Sequence, residues 1–458
     1  MNNLSIFLFT RDLRIHDNTG LIQASKLSHT VLPIFIFNPM QIDDTNKYKS
    51  NNCVQFMCEC LDELNNEFKN LNSRLVYFYN KPENVLEHLF KKYNVDAVFM
   101  NMDYTPFATK RENNIRNLCN KFKKNFIVTE DYLLTGKDII KNGNGDPYVK
   151  FTPFLNSAKK YTINTESQYK PNNFTKKNLE FAGEYTKSIH KFYTQNKNIA
   201  VNGGRLNALT ILKKISSFNT YSKTRDIPSM QTTKLSAYLK FNVVSIREVY
   251  HDFSKKLSKS NKLFTQLYWR EFYMLIMYHF PNVIGHSLKE KYDKIQWKND
   301  TKLFNLWKNG KTGFPIIDAG MRELNTTGYM HNRCRMIVSN FLIKILHIDW
   351  RLGEKYFATQ LVDYDPANNN GGWSWNHGGV DSQPYFRWFS PITQAKNFDP
   401  DCIYIKKWIP ELKNVDNKDI LNWNIKYVNY DNINYPKPII NDIGKEIKIT
   451  MNYYAKIF

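Results

Sequence analysis

Short apolar runs of strand length alternate with helix-patterned stretches through roughly the first 130 residues, and this alternation constrains the fold most. Positions 4–10, 31–37, 75–79, 95–101 and 125–129 are the strand-like runs, while 51–71 and 82–93 carry apolar residues at helical spacing. Parallel neighbouring strands need long crossovers, so this order predicts a parallel, Rossmann-like α/β domain over residues 1–130. No GxGxxG follows the first run. Arg11-Asp-Leu-Arg-Ile-His-Asp17 stands there instead, so ordinary dinucleotide binding is not indicated.

Beyond it, residues 131–200 are polar and turn-rich, as in Asn142-Gly-Asn-Gly-Asp-Pro147, and read as a connector. Amphipathic patterns at 204–218, 263–280, 315–324 and 331–346 predict a helical domain over 201–458. All nine tryptophans lie at or after Trp269, as expected of two domains of different character. The last 45 or so residues read as no extended regulatory tail. No apolar run reaches the ~20 residues of a membrane helix, and the N-terminus reads as a first strand without an export signal. Six cysteines without a CxxC pair argue against a disulfide framework or an iron–sulfur cluster, and for a reducing compartment, cytoplasm or nucleus. A net charge of +22 favours a polyanionic partner, although a Lys- and Asn-rich composition accounts for part of it.

The chemistry concentrates in Asp363-Tyr-Asp-Pro-Ala-Asn-Asn-Asn-Gly-Gly-Trp-Ser-Trp375, whose carboxylates and amides are costly to bury without partners. His331-Asn-Arg-Cys-Arg-Met336 precedes it and Pro384-Tyr-Phe-Arg-Trp-Phe389 follows. Ser229-Met-Gln-Thr-Thr-Lys-Leu-Ser236 sets hydroxyls before and within the first turn of a helix. That pattern suits a pyrophosphate, although on the residues alone an ordinary hydroxyl cap is the commoner outcome. Gln266, Trp269 and Arg270 share one helix face and could stack on a base and bind its edges or phosphate. A packed Trp beside a solvent-facing Arg is the plainer alternative. Asn332 and Met336 are one helical turn apart, and Arg335 and Asp363 invite a charge pair. His377, Gly378 and Gly379 read as a turn without a role.

In their order and spacing these segments resemble the photolyase/cryptochrome family, closest to class I cyclobutane pyrimidine dimer photolyases. The resemblance runs from Arg11-Asp-Leu-Arg14 through Thr312-Gly-Phe-Pro-Ile-Ile-Asp-Ala319 to Trp408-Ile-Pro-Glu-Leu412. It implies an antenna-type α/β domain joined to a helical domain that binds FAD and DNA. Tyr221, Thr232, Thr233, Lys234, Leu235 and Ser236 would then hold the FAD diphosphate, and Arg335, Asp363, Asp365 and Asn369 the flavin ring. Damaged DNA would meet Gln266, Trp269, Arg270, Asn332, Arg333, Met336 and Trp375, with Trp269 and Trp375 flanking a flipped-out lesion. Trp297, Trp350 and Trp373 would carry electrons to oxidised flavin. The implied reaction is light-driven splitting of the dimer by an electron from excited, reduced, anionic FAD. A second antenna chromophore is left unassigned; no metal, membrane or obligate protein partner is implied, and the chain would act as a monomer.

Four positions discriminate within the family. Gln266 stands where dimer-splitting members usually carry Glu, whereas Asn332 and Met336 occupy positions where (6-4) enzymes need histidine. Asn369 is the photolyase choice where many signalling cryptochromes have Asp or Cys. Asn242 replaces a usual Gly, at a turn that Asn tolerates. The alternatives left open are a cryptochrome-like photoreceptor without repair activity, a (6-4) photolyase, and a nucleic-acid-binding protein whose flavin site is vestigial.

Overall fold

In a computed structural model describing residues 1–381, 384 and 386–457, five parallel strands form one sheet. They are β1 (Asn2–Phe9), β2 (Ser28–Phe37), β3 (Val76–Tyr79), β4 (Ala97–Asn101) and β5 (Asn125–Thr129), in the order β3-β2-β1-β4-β5. Both faces are covered, as the side-chain alternation shows. Phe7 and Phe9 enter one core with Phe35, Phe37 and Phe99, whereas Ile6 and Leu8 enter another with Ile34, Ile36 and Val98. The α/β and helical character of the two halves agrees with the sequence reading.

The first of these cores does not stop at the sheet. It runs on through Tyr238, Phe241 and Phe272, so the sheet and the helices beyond it share apolar packing. Helices Thr19–Leu27 and Pro106–Lys121, missed in the sequence, complete the crossovers. The second has start signals, since Pro106 is at its first position and Thr105 caps Ala108 N at 3.2 Å. Its apolar stripe is interrupted by polar residues, which hid the period.

The polar stretch after β5 is more than a surface strap. It contains helix Phe151–Ala158, whose Phe151 and Phe154 are buried, and it pairs Phe174 with Val31 at the sheet. The run expected at 204–218 splits into helix Arg205–Lys213 and a 3-10 turn, Ile215–Phe218. His377 is not in a turn: it ends helix Pro366–His377, fully buried, and Gly378 follows at φ +95° as the left-handed cap. Near the C-terminus, helix Ile443–Ala455 packs inward, burying Thr450, whose hydroxyl donates to Lys344 O at 2.5 Å. Among the described residues no helix is long and apolar enough to cross a membrane, and all six cysteines are free.

Candidate functional site

The helical half encloses a cavity of about 420 Å³, within the usual range for a ligand pocket. Its walls come from helices Leu235–Lys240, Lys262–His279, Asn332–Lys344, Trp350–Gln360 and Pro366–His377. The lining is mixed: Leu235, Leu263, Leu267 and Phe357 give it apolar surface, and Gln266, Asn332, Arg335, Asp363 and Asn369 set polar groups among them.

One wall carries the residues expected around a diphosphate. Tyr221, Thr232, Thr233, Lys234, Leu235 and Ser236 all line it. Lys234 takes left-handed backbone, φ +51°, and sets its ammonium 5.4 Å from the centre of the Tyr329 ring. Thr232 Oγ1 is 3.4 Å from Tyr329 OH, and Ser236 Oγ donates to Asp363 Oδ2 at 2.6 Å. Asp363 also takes both of its oxygens to Arg335 Nη2, at 3.1 and 2.9 Å. The pair expected from sequence thus forms, in a Ser–Asp–Arg chain along the cavity wall. Burial works against the Arg335 charge, and Asp363 more than compensates, raising it above the ordinary arginine value.

Asp365 lies in the lining, yet both of its oxygens are committed to protein. Oδ1 caps helix Pro366–His377 by accepting from Asn368 N and Nδ2, each at 2.9 Å, and Oδ2 accepts from Arg11 at 2.8 Å. Burial opposes its charge, but Arg11 and then Lys240 hold the carboxyl far below the usual carboxylate range. Asn369 donates its Nδ2 to Glu354 O and Glu354 Oε1, both at 3.0 Å, leaving Oδ1 for a ligand. Glu354, which sequence reasoning missed, is pushed up to about 7 by burial, against the opposing bond from Asn369.

The substrate set is only partly gathered. Gln266, Asn332, Met336, Trp269 and Trp375 all line the cavity, with Asn332 Nδ2 3.8 Å from Met336 Sδ. Trp269 has one face covered, because Phe151 stacks on it at 3.5 Å with planes 9° apart. The two remaining residues depart from expectation. Arg270 borders the cavity but turns its guanidinium into the protein, donating to Tyr132 O at 2.6 Å and Leu239 O at 3.3 Å, and burial with Arg11 nearby lowers it to about 10. Backbone carbonyls at the joint between the two halves accept its hydrogen bonds and offset only part of the cost of burying its charge. Arg333 lies outside the lining, paired with Asp226 at 2.7 Å and stacked 4.3 Å over Phe398. Asp226 captures it from a neighbouring loop that the sequence does not place.

Of the three tryptophans expected in an electron path, Trp373 lines the cavity and the other two do not. Trp373 packs edge-on against Phe357 at 5.0 Å and Trp307 at 6.2 Å. Trp350 is buried and stacks on His377 at 5.0 Å; Trp297 is partly buried against the same core. Asn242 adopts φ +42°, fully buried, donating to Arg11 O at 3.2 Å. Tyr385 of the segment 384–389 lies outside the described residues.

The lining fits FAD in two respects. Cations and hydroxyls, Arg225, Lys234, Thr232 and Thr233, suit a diphosphate. At Gly372 an added Cβ would meet nothing within 4 Å, so the cavity reaches the helix backbone and accepts a flat ring there. A metal is served less well. The one candidate cluster among the described residues, His16, Glu166 and Glu248, has Glu248 clamped by Arg205 at 2.8 and 2.7 Å.

Comparison with known proteins points the same way. The family model for DNA photolyase matches residues 5–173, and that for the FAD binding domain of DNA photolyase matches 263–455. The deoxyribodipyrimidine photo-lyase of Buchnera aphidicola subsp. Acyrthosiphon pisum is 36% identical, covering 95% of this chain and 94% of its own. That of Synechococcus sp. is 32% identical, covering 95% and 93%. An archaeal photolyase from Sulfolobus tokodaii, solved with two FAD molecules, is 37% identical with a TM-score of 0.89, covering 99% of this chain and all of its own. A class III photolyase from Agrobacterium tumefaciens has a TM-score of 0.91 at 28% identity, covering 100% of this chain and 98% of its own. A Synechocystis cryptochrome shares the fold, TM-score 0.89, at 24% identity.

Proposed function

This chain belongs to the DNA photolyase family, and we propose that it is a deoxyribodipyrimidine photo-lyase that splits cyclobutane pyrimidine dimers in DNA. The observation that carries this reading is that the cofactor set and the base-facing set, Arg333 excepted, line one cavity. A dimer flipped into it would therefore lie against the bound flavin. Flipping a dimer costs less than flipping a normal base, because it already pairs and stacks poorly.

When bound, FAD in its reduced form supplies the light-driven electron that opens the cyclobutane ring. The chain supplies placement and charge. Thr232, Thr233 and Lys234 would hold the diphosphate, and the Arg335–Asp363 pair would fix the ring, with the Arg335 guanidinium toward its negative charge. Asn369, with Nδ2 tied to Glu354, would offer Oδ1 as an acceptor and no acidic proton, which favours a stable reduced ring. Trp269 and Trp375 would sandwich the lesion, with Gln266 and Asn332 on its polar edges. Trp373, Trp350 and Trp297 would relay electrons from the surface. We assign residues 1–130 to an antenna-type domain, 131–200 to the connector and 201–458 to FAD and DNA, the protein acting as a monomer inside the cell.

Gln266 favours one rival, a (6-4) photolyase, and Asn332 with Met336 opposes it, because that reaction needs a proton-transferring histidine. The test uses oligonucleotides with a single cyclobutane dimer or a single (6-4) lesion, incubated with reduced protein in light and dark. Light-dependent repair of the dimer strand alone is the expected result. Repair of the (6-4) strand refutes the substrate assignment, and repair of neither, with flavin bound, makes the protein a photoreceptor.

A further inference from the structure

We propose that Arg11, a residue of the α/β half, is a positioning residue for the FAD cavity and acts through Asp365. The proposal rests on the FAD reading above and extends it across the interface between the halves.

Arg11 stands just past the end of β1, and 354 positions separate it from Asp365. Its Nη2 donates to Asp365 Oδ2 at 2.8 Å, while Nη1 donates to Asp103 Oδ1 at 3.2 Å. The Arg11 and Asp365 side chains are each 6% exposed. Asp103 follows β4, so that bond stays within the α/β half; the bond to Asp365 crosses to the helices. Because Asp365 Oδ1 caps helix Pro366–His377, one carboxylate links the sheet to the first turn of a cavity wall. Asn369, Gly372 and Trp373 follow along that helix, all in the lining.

The loop that carries Arg11 is itself pinned. Asn242 Nδ2 donates to Arg11 O at 3.2 Å, Leu13 N donates to Phe241 O at 2.9 Å, and the guanidinium lies 5.2 Å from the centre of the Tyr132 ring. A planar guanidinium can bridge two carboxylates from different elements, which a lysine point charge does less well. Without Arg11, Asp365 would be a buried carboxylate short of its main partner, and the helix start would shift or Asp365 would take up a proton. Lys240 and Arg270 also act on Asp365 through their charge, yet neither makes its hydrogen bond.

The experiment compares FAD affinity, by fluorescence titration of the full-length apoprotein, and the visible band structure of bound flavin. Wild type, Arg11→Met, Asp365→Asn and the double variant form a cycle. Arg11→Met is expected to weaken FAD binding by about 10- to 100-fold and to blur the flavin bands. Adding Asp365→Asn should recover at least about fivefold and restore the bands, because a neutral Asn still caps Asn368 and needs no cation. A purely structural Arg11 would give additive losses with no recovery, and that outcome overturns the proposal. So does Arg11→Met within about threefold of wild type. If Arg11→Met fails to fold, the comparison moves to the Asp365→Asn background. There its cost should be under about threefold, and a tenfold loss overturns the proposal. Failure of wild type to bind FAD would instead bring down the cavity reading itself.

Discussion

Gly371 and Gly372 are consecutive in the helix that walls the cavity, and replacing each with alanine should have opposite effects. A Cβ on Gly371 would sit 2.2 Å from Tyr273 Cδ1 and 2.4 Å from its Cγ, against the 3.5–4.0 Å at which carbon atoms attract. The atoms met are at the root of the ring, so no free rotation relieves the clash. Tyr273 is further confined by Trp269 at 5.3 Å and Phe272 at 5.7 Å between ring centres. So close an approach belongs in the upper part of the range for overpacking, about 2–3 kcal/mol, and the gain of about 1 kcal/mol for Ala over Gly in a helix offsets only part of it. Gly371→Ala should therefore destabilise the apoprotein by about 1–2 kcal/mol.

Gly372 has nothing within 4 Å of the same added atom. Gly372→Ala should stabilise the apoprotein by about 0.5–1 kcal/mol through helix propensity alone. The new methyl projects into the space proposed for the flavin ring, so FAD affinity should fall about tenfold, or ~1.4 kcal/mol. Urea denaturation of the apoproteins measures the first quantity and fluorescence titration the second. The reasoning fails if Gly371→Ala is as stable as wild type. It fails equally if Gly372→Ala loses apoprotein stability or binds FAD as well as wild type does.

Glu354 gives a pH prediction. Its folded carboxyl titrates near 7 while the unfolded one titrates near the ordinary value of 4.5, so the folded state holds the proton longer. Stability should fall as pH rises from 4.5 to 7, by at most about 1.4 kcal/mol per unit, and level off above. Glu354→Gln should remove that slope, so parallel urea curves for the two proteins from pH 4.5 to 8 would refute it. Asp363→Asn leaves Arg335 with half a partner and Ser236 Oγ with a weaker acceptor. About 3 kcal/mol of apoprotein stability should be lost, the low end for a broken buried pair because Arg335 is a quarter exposed, and urea denaturation checks it. Trp373→Phe should slow photoreduction of oxidised flavin at least about tenfold while leaving repair by chemically reduced protein within about threefold. Flash absorption and strand analysis read the two separately.

The parts of the site legible in the sequence were those whose chemistry is conspicuous where it stands. Arg335 lies in a basic segment and Asp363 opens an acidic, amide-rich one, so a charge pair between them is the economical expectation, and it forms. The turn at Asn242 came instead from the resemblance, which puts a glycine there, and Asn242 does adopt φ +42°. What stayed hidden depends on topology. Glu354 lies on an amphipathic helix where a Glu is ordinarily solvated, and only the packing of that helix on the next brings it to Asn369. Phe151 sits in a polar stretch that reads as connector, yet its ring covers a face of Trp269. Arg270 was misread because three residues on one helix face do not say which of them meets a neighbouring carbonyl before it meets the ligand.

The commitments of the acidic residues bear on Gln266. Asp363 and Asp365 are the carboxylates among the described residues that line the cavity. Arg335 and Ser236 occupy the first, Arg11 and Asn368 the second. The second is held ionised by its cations, so it offers a proton at no pH near neutrality. Glu354 stands behind Asn369, with Oε1 tied to its amide. Beside the cations Arg225, Lys234 and Arg335, a base in this cavity meets amides, hydroxyls and aromatic faces, and Gln266 offers it an NH2 donor group and a carbonyl acceptor. Under the proposed reaction Gln266 and Asn332 stabilise charge on the base by hydrogen bonding, which suffices for an electron that arrives and returns. Chemistry that must move a proton would need an imidazolium, and His331 in the lining is lowered to about 4 by burial and accepts from Arg333 N through Nδ1, so it is neutral near pH 7.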